Sequence, residues 1–300
     1  MEMLEELSKV LDEQQILKNE PMSRHTTFRV GGPADLLLTP DAEQLPKVIE
    51  ILKEHQTPIT IIGNGSNLLV GDGGIRGAVL EMGRQMSDIH VNGEIVTAQA
   101  GALLSKTAQM AYQNELSGME FAAGIPGSVG GAMVMNAGAY GGEMKDIVTS
   151  VKVLTKEGEV LELSGAQMDF GYRHSCVIDK DYLVLEASFL LKKADPKQIR
   201  QKMDELKEQR VSKQPLEYPS AGSTFKRPEG YFAGKLIMDA GLAGFTLGGA
   251  QVSAKHCGFV INHDHASAKD VLELIRHVQK VVKEQYGVEL ETEVKMLGEF

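Results

Sequence analysis

Nowhere in these 300 residues do about 18 apolar side chains run together, so no segment reads as a membrane-spanning helix. The start, MEMLEELSKVLDEQQ, is acidic and lacks the basic and apolar regions of a secretory signal. Basic charge is scarce: 31 Lys and Arg stand against 41 Asp and Glu, a formal net charge of −10, which argues against a protein that binds nucleic acid through a basic surface. Only two cysteines occur, Cys176 and Cys257, without a Cys-x-x-Cys pairing, as in a reducing compartment. A soluble, cytoplasmic chain is the expectation. No Gly-Lys-Ser/Thr occurs, which excludes a Walker A phosphate loop. His263-Asp-His265 has no third ligand nearby and reads as a solvated loop, so no metal is expected.

Glycine, by contrast, is abundant, at 32 of 300, and seventeen of the 32 lie between Gly63 and Gly142. Glycine permits positive φ and a close approach of backbone to ligand. A glycine-dense stretch of this length points to an extended ligand lying along main chain, with tight turns of a β-rich region as the alternative. In Gly63-Asn-Gly-Ser-Asn-Leu68 the first two glycines of a dinucleotide fingerprint are present, but Leu68 takes the third place. Gly71–Gly77 is too glycine-rich for the crossover helix of that fold. What remains is a loop of backbone N–H groups with Asn and Ser side chains, suited to a pyrophosphate. A second cluster runs Ala123-Gly-Ile-Pro-Gly-Ser-Val-Gly-Gly131 and continues to Asn136-Ala-Gly-Ala-Tyr-Gly-Gly142. Its small residues read as a main-chain wall rather than a helical core stripe.

Around these loops the periodicity predicts a helix over 1–20 and another over 41–55, where Pro46 fits only a first turn. A hairpin is expected around Asn92-Gly93, a helix over 103–114 and a second strand pair over 151–163. Asp195-Pro196 opens a long charged helix to about Ser212, and the mixed-charge run 202–210 reads as its solvated face. Further helices are expected over 232–240 and from the capping box Ser267–Asp270 to Gly287, then a final strand over 288–296. A domain boundary falls near 192–196.

Three polar groups stand out. Arg173 lies in Phe170-Gly-Tyr-Arg-His-Ser175, where Gly171 breaks regular structure, and Ser223 lies in the small-residue loop Ser220-Ala-Gly-Ser-Thr-Phe-Lys226. Strand alternation puts Glu289, Glu291 and Glu293 on one face, opposite Leu290, Thr292 and Val294. A surface arginine, a turn serine and a solvated edge strand are the plain readings of the same patterns. Cys257 reads as a small core residue, whereas Cys176 stands beside Arg173, His174 and Ser175, where a thiolate is the lesser alternative.

Seven motifs, in order over most of the chain, resemble one family. They are Thr26-Thr-Phe-Arg-Val-Gly-Gly32, Gly63-Asn-Gly-Ser-Asn67, Gly124-Ile-Pro-Gly-Ser-Val-Gly-Gly131, Asn136-Ala-Gly-Ala-Tyr140, Gly171-Tyr-Arg-His-Ser175, Ala221-Gly-Ser-Thr-Phe-Lys226 and Leu290-Glu-Thr-Glu-Val294. The family is the UDP-N-acetylenolpyruvoylglucosamine reductases. The resemblance implies an α+β fold, with a FAD-binding region of the vanillyl-alcohol-oxidase (PCMH-type) superfold over 1–194 and a smaller C-terminal α/β substrate-binding domain over 195–300. It implies noncovalent FAD, since no tethering histidine stands in the first glycine loop, and NADPH as co-substrate. It implies a cofactor set of Gly63, Asn64, Gly65, Ser66, Asn67 and Leu68, then Gly124, Ile125, Pro126, Gly127, Ser128 and Gly130, with Asn136, Gly138 and Ala139 nearby.

In the reaction so implied, hydride passes from NADPH to flavin and then to C3 of the enolpyruvyl group of UDP-N-acetylglucosamine enolpyruvate. Ser223 gives a proton to C2, and Arg173 and Glu293 stabilise the enolate, giving UDP-N-acetylmuramate for peptidoglycan, and hence cell-wall synthesis, cell shape and division. Tyr172, Lys213, Lys226 and Arg227 fall to substrate binding, with Arg227 standing where some members carry Asn. Clustering of Arg173, Lys213, Lys226, Arg227 and Lys235 would give an acidic protein a locally positive cleft. The spacing from Arg173 to Ser223 is that of the shorter form, without a tyrosine-bearing insertion. A monomer or weak oligomer without membrane insertion is expected. Another FAD oxidoreductase of the same superfold, such as a sugar oxidase, and a noncatalytic flavin sensor are the competing readings.

Overall fold

The computed structural model describes residues 2–300, a mixture of helices and mainly antiparallel strands. The chain divides into two compact units, one of residues 1–17, 37–64 and 79–210, the other of 18–36, 65–78 and 211–300.

In the first unit a five-stranded sheet runs in the order Val160–Ser164, Val148–Leu154, Leu183–Leu190, Ile95–Gln99, Ile89–Asn92. All its pairings are antiparallel, and one row across it reads Leu163, Val151, Ala187, Ala98, Ile89. Alternation supplies the buried face, in which Val151, Val153, Val96, Ala98, Ala187 and Phe189 are all essentially inaccessible. Asn92-Gly93 turns the Ile89–Gln99 hairpin, with Gly93 at φ 62°. The short helix Val129–Met135 packs on the strand Leu183–Leu190. This helix replaces the expected main-chain wall. Its small residues serve contact: a Cβ on Gly130 would stand 3.0 Å from that of Ala100, and Gly130 N donates to Ala100 O at 2.8 Å.

Helices are expected and found at Leu45–Glu54, with Pro46 in the first turn, and at Leu104–Gln113. The expected N-terminal helix stops at Leu7. The Gln15 amide donates to Thr39 O and to Gln44 Oε1, drawing the chain into the strand that begins at Ile16.

The second unit holds a core of Phe28, Leu69, Phe225, Ile237, Val260, Ile275 and Val294. Three short antiparallel strands, Thr246–Leu247, Ala250–Val252 and Val260–Asn262, pack with the helix Ala268–Tyr286. That helix starts on the expected capping box and ends at Gly287 in left-handed conformation. The Asp72 carboxylate accepts from Ala268 N and Lys269 N at 2.8 and 2.9 Å, so the 71–74 turn closes the exposed donors of its first turn. The expected strand over 288–296 is shorter. Only Lys295–Leu297 joins a ladder, in parallel with Leu68–Val70, yet Leu290 and Val294 still point inward.

Candidate active site

The first glycine loop is fixed from both sides of Asn64. In the first unit Asn64 Nδ2 donates to Pro126 O at 2.6 Å, which joins the two glycine clusters. Ser128 stands at the N-cap of Val129–Met135, where a serine hydroxyl ordinarily accepts from the first turn. Here it makes no cap bond, is 3% exposed, and is one of two buried side-chain polar atoms without a partner among the described residues. It faces Gly63, where a Cβ would stand 2.3 Å from Ser128 Oγ. In the second unit Gly65 takes φ 60°, and a Cβ there would lie 1.9 Å from His25 O. No other residue fits that backbone approach.

Arg173 is the second residue of a two-residue turn closed by reciprocal bonds between Gly171 and His174. It holds a left-handed φ of 55°, which a side-chain-bearing residue adopts at a cost, and its guanidinium lies 5.2 Å over the Tyr172 ring. The turn hangs on Asn136. This residue is 1% exposed, ends the Val129–Met135 helix at φ 43°, and donates to Gly171 O at 3.1 Å and Glu143 Oε2 at 2.7 Å. Its Oδ1 accepts from Lys145 N at 3.0 Å. Ser175 Oγ adds a bond to Val134 O at 3.0 Å. Of the neighbouring cofactor candidates, Gly138 and Ala139 form a two-residue strand paired with Gly142–Glu143.

Ser223 and Glu293 meet in the second unit through their backbones. Phe225 pairs with Thr292, Lys226 N donates to Glu291 O, and Glu293 N donates to Thr224 O, both hydrogen bonds at 2.9 Å. Glu293 O accepts from Asn67 Nδ2 at 3.1 Å, and Asn67 O from Lys295 N at 2.9 Å. Ser223 and Glu293 are half-buried, between the buried Ala221, Thr224 and Val294. Glu289 and Glu291 share the Glu293 face of the alternation but are solvated.

The substrate candidates divide. Lys226 is ion-paired with Glu291 at 3.0 Å and Lys235 with Asp239 at 2.8 Å, so each carries local neutralisation. Arg227 stacks 4.1 Å over Phe232, Lys213 is exposed at the end of Pro196–Lys213, and Tyr172 is exposed. Burial raises the Cys176 and Cys257 thiol pKa values, consistent with inert core residues. His263 and His265 lie on an exposed loop.

One residue escaped the sequence reading. The helix Pro196–Lys213 is not solvated throughout: Ile199 and Leu206 are buried and Met203 half-buried between them. Arg210 continues that stripe at helical spacing and is half-buried. Spacing from Ile199 was the available signal. Desolvation holds the Arg210 pKa below the usual guanidinium value, with nearby Tyr140 opposing.

The two glycine loops joined by Asn64 lie in the part of the chain that defines its class, an FAD-binding protein. Residues 33–164 match the model of a FAD binding domain. A variant of Phl p 4, a glucose oxidase, has the same fold at a TM-score of 0.50 and 16% identity, over 65% of this chain and 45% of that one. Residues 214–297 match the UDP-N-acetylenolpyruvoylglucosamine reductase, C-terminal domain. The enzyme of that name from Agathobacter rectalis is 57% identical over 95% of each chain. The crystal structure of the one from Thermus caldophilus superposes with a TM-score of 0.81 at 36% identity, covering 93% of this chain and 97% of that one. The chain belongs to the UDP-N-acetylenolpyruvoylglucosamine reductase family and is an FAD-dependent oxidoreductase. Among the described residues no helix is long and apolar enough to cross a membrane.

Proposed function

We propose that this protein reduces UDP-N-acetylglucosamine enolpyruvate to UDP-N-acetylmuramate, a peptidoglycan precursor, with NADPH as the source of hydride. The observation that carries this reading is the pairing of the Ser223 segment with Glu293, inside the region that matches the family's C-terminal domain. In the same reading residues 1–194 carry the cofactor and 195–300 the substrate.

The residues present fit a noncovalent FAD. The unpartnered Ser128 hydroxyl facing Gly63 is a buried donor awaiting an acceptor, and the 63–68 loop carries no histidine to tether a flavin. Gly63–Leu68 and Gly124–Ser128, with Gly130 and the nearby Asn136, Gly138 and Ala139, hold the cofactor. When bound, FAD supplies two-electron hydride chemistry that no side chain here can provide.

Ser223 Oγ gives its proton to C2 of the enolpyruvyl group. A hydroxyl is a weak acid, so its value lies in being held in line, and the backbone bonds on Thr224 provide that constraint. Arg173 presents a planar fork of donors to the carboxylate on which negative charge develops. Glu293 shares the stabilisation of that enolate beside Ser223. Lys213 and Arg227 contact the diphosphate of the substrate, and Tyr172 and Lys226 also serve substrate binding.

Anaerobic visible spectroscopy tests the reading in two halves. Flavin bands bleached by NADPH and restored by UDP-N-acetylglucosamine enolpyruvate are the expected result. Bleaching without recovery would discard the substrate, and bound FAD that NADPH leaves oxidised would favour a noncatalytic role. Ser223→Ala is expected to leave bleaching nearly intact and slow recovery by at least about 10²-fold. Equal slowing of both halves would remove Ser223 as the proton donor.

A further inference from the structure

In the second unit the parallel pairing of Leu68–Val70 with Lys295–Leu297 reaches back one residue, to Asn67, whose carbonyl accepts from Lys295 N at 2.9 Å. At the other end Gly71 N donates to Leu297 O, also at 2.9 Å. In a parallel ladder the C=O of a residue accepts from one N–H of the neighbouring strand, and its own N–H donates to the C=O two residues earlier on that strand. By that pattern the Asn67 N–H belongs on Glu293 O. The side chain stands there instead, with Asn67 Nδ2 donating to Glu293 O at 3.1 Å. The Asn67 N–H makes no main-chain hydrogen bond among the described residues and remains with the 63–68 loop. An asparagine side chain can replace a peptide group in this way because its amide carries the same donor and acceptor, set beside its own backbone by one methylene. Both main-chain polar groups of Glu293 are therefore engaged. Its N–H, on Thr224 O at 2.9 Å, ties it to the segment of Ser223, and its carbonyl ties it to the glycine loop through Asn67. Val294 is buried and anchors the strand, so the Asn67 bond bears on the orientation of the Glu293 carbonyl rather than on whether the strand forms.

We propose that Asn67 is a positioning residue, its side chain linking the 63–68 loop to Glu293 so that FAD bound on the loop fixes the Glu293 segment for the enolate. The inference rests on the reading of that loop as cofactor-binding and of Glu293 as a partner of the enolate. A loop of Gly, Ser and Asn loses mobility when a ligand orders it, and a segment hydrogen-bonded to it shares in that order. The Asn67 side chain meets no reacting atom, and no covalent or redox step is assigned to it.

Asn67→Ala removes the amide and keeps the carbonyl that receives Lys295 N. In the FAD-loaded enzyme, flavin reduction by NADPH is expected to stay near the parent rate. Reoxidation by UDP-N-acetylglucosamine enolpyruvate is expected to slow about 10-fold, as for the loss of one ordinary hydrogen bond. Asn67→Asp keeps the shape but, when ionised, offers Glu293 O only acceptors. Its reoxidation rate relative to the parent is expected to recover as pH falls and the carboxyl regains a donor, a dependence that a merely structural role would not produce. A further readout needs no turnover. Hydrogen–deuterium exchange over 293–299 is expected to slow when FAD binds the parent, and to respond much less in Asn67→Ala. Parent-like reoxidation in Asn67→Ala, equal slowing of both half-reactions, or the same exchange response to FAD in parent and variant would overturn the proposal. A parent that binds FAD but is not reoxidised by that substrate would discard the substrate reading, and the exchange comparison would then decide the link on its own. A parent that does not bind FAD would overturn the cofactor reading of the loop, and the role of Asn67 with it.

Discussion

The first unit carries Arg173 at the tip of a turn anchored by side chains, chiefly Asn136, which spends its amide hydrogens on Gly171 O and Glu143 and its oxygen on Lys145 N, with the Ser175 hydroxyl adding a bond to Val134 O. The second unit carries Ser223 and Glu293 on extended segments cross-linked by main chain, with the Asn67 side chain adding a single bond. The glycines follow the same division. At Gly63 the obstacle to a side chain is the Ser128 hydroxyl, which can rotate away, whereas at Gly65 it is the His25 carbonyl, which cannot. One site is therefore vulnerable at a side chain and tolerant in its backbone, and the other is the reverse. Which atoms hold a group decides which mutations dislodge it.

Paired substitutions can break that comparison. The largest effect is expected for Gly65→Ala, where a 1.9 Å clash with backbone adds to the left-handed φ. A loss of about 3 kcal/mol or more in denaturant unfolding is expected, while Gly63→Ala stays within about 1 kcal/mol and weakens FAD binding instead. Comparable destabilisation by the two would refute the division. Asn136→Ala comes next, at about 2–3 kcal/mol, because it orphans the Lys145 N–H and takes from Gly171 O the donor it has besides His174 N. It is also expected to slow flavin reoxidation by substrate more than reduction by NADPH, which a purely global loss of stability would not do. Its counterpart Asn67→Ala removes one bond from a lattice that keeps the Glu293-to-Thr224 link, and about 1 kcal/mol is expected. A larger cost for Asn67→Ala than for Asn136→Ala would reverse the picture.

The smallest effect concerns pH. Asp270 is held below the ordinary aspartate pKa, first by the Ser267 N–H, then by the Gly249 N–H and the Ser267 hydroxyl, with burial opposing. Its ionised form therefore adds stability above about pH 4, and that share is lost as pH falls through the lower folded-state value. Acid-unfolding curves are expected to fall more steeply in the parent than in Asp270→Asn, which cannot titrate; parallel curves would show that the capping carboxylate contributes nothing measurable.

Much of this arrangement was legible locally. The Ala268–Tyr286 helix announces itself through Ser267, Asp270 and Gly287, and the Asn92-Gly93 hairpin through its turn pair. The Leu290–Val294 alternation survives as inward Leu290 and Val294 even though only Lys295–Leu297 enters a ladder. These signals lie within a few residues of what they specify. The N-terminal helix failed for the converse reason: its periodicity continues past Leu7, but Gln15 is captured by Thr39 and Gln44, more than 20 residues away.

The glycine run at 123–131 reads as a wall, but its last residues open the helix Val129–Met135, and the value of Gly130 lies in its contact with Ala100. Arg210 was hidden by its own charge. In a run of Lys, Glu and Arg nothing local separates the solvated cation from the one that the Ile199–Leu206 stripe turns inward.

By itself the sequence determined the class of chemistry, because family motifs, caps and turn pairs are short-range and each residue type has few physical uses at those spacings. Tertiary structure alone decided which side chains are spent on holding others: Asn136 on the Arg173 turn, Asp72 on a helix start, Ser128 left unpartnered beside Gly63, Arg210 half-buried without an ion pair. Hydrogen-bond satisfaction and desolvation depend on the atoms that surround a group once the chain has folded, and those atoms come from segments far apart in sequence.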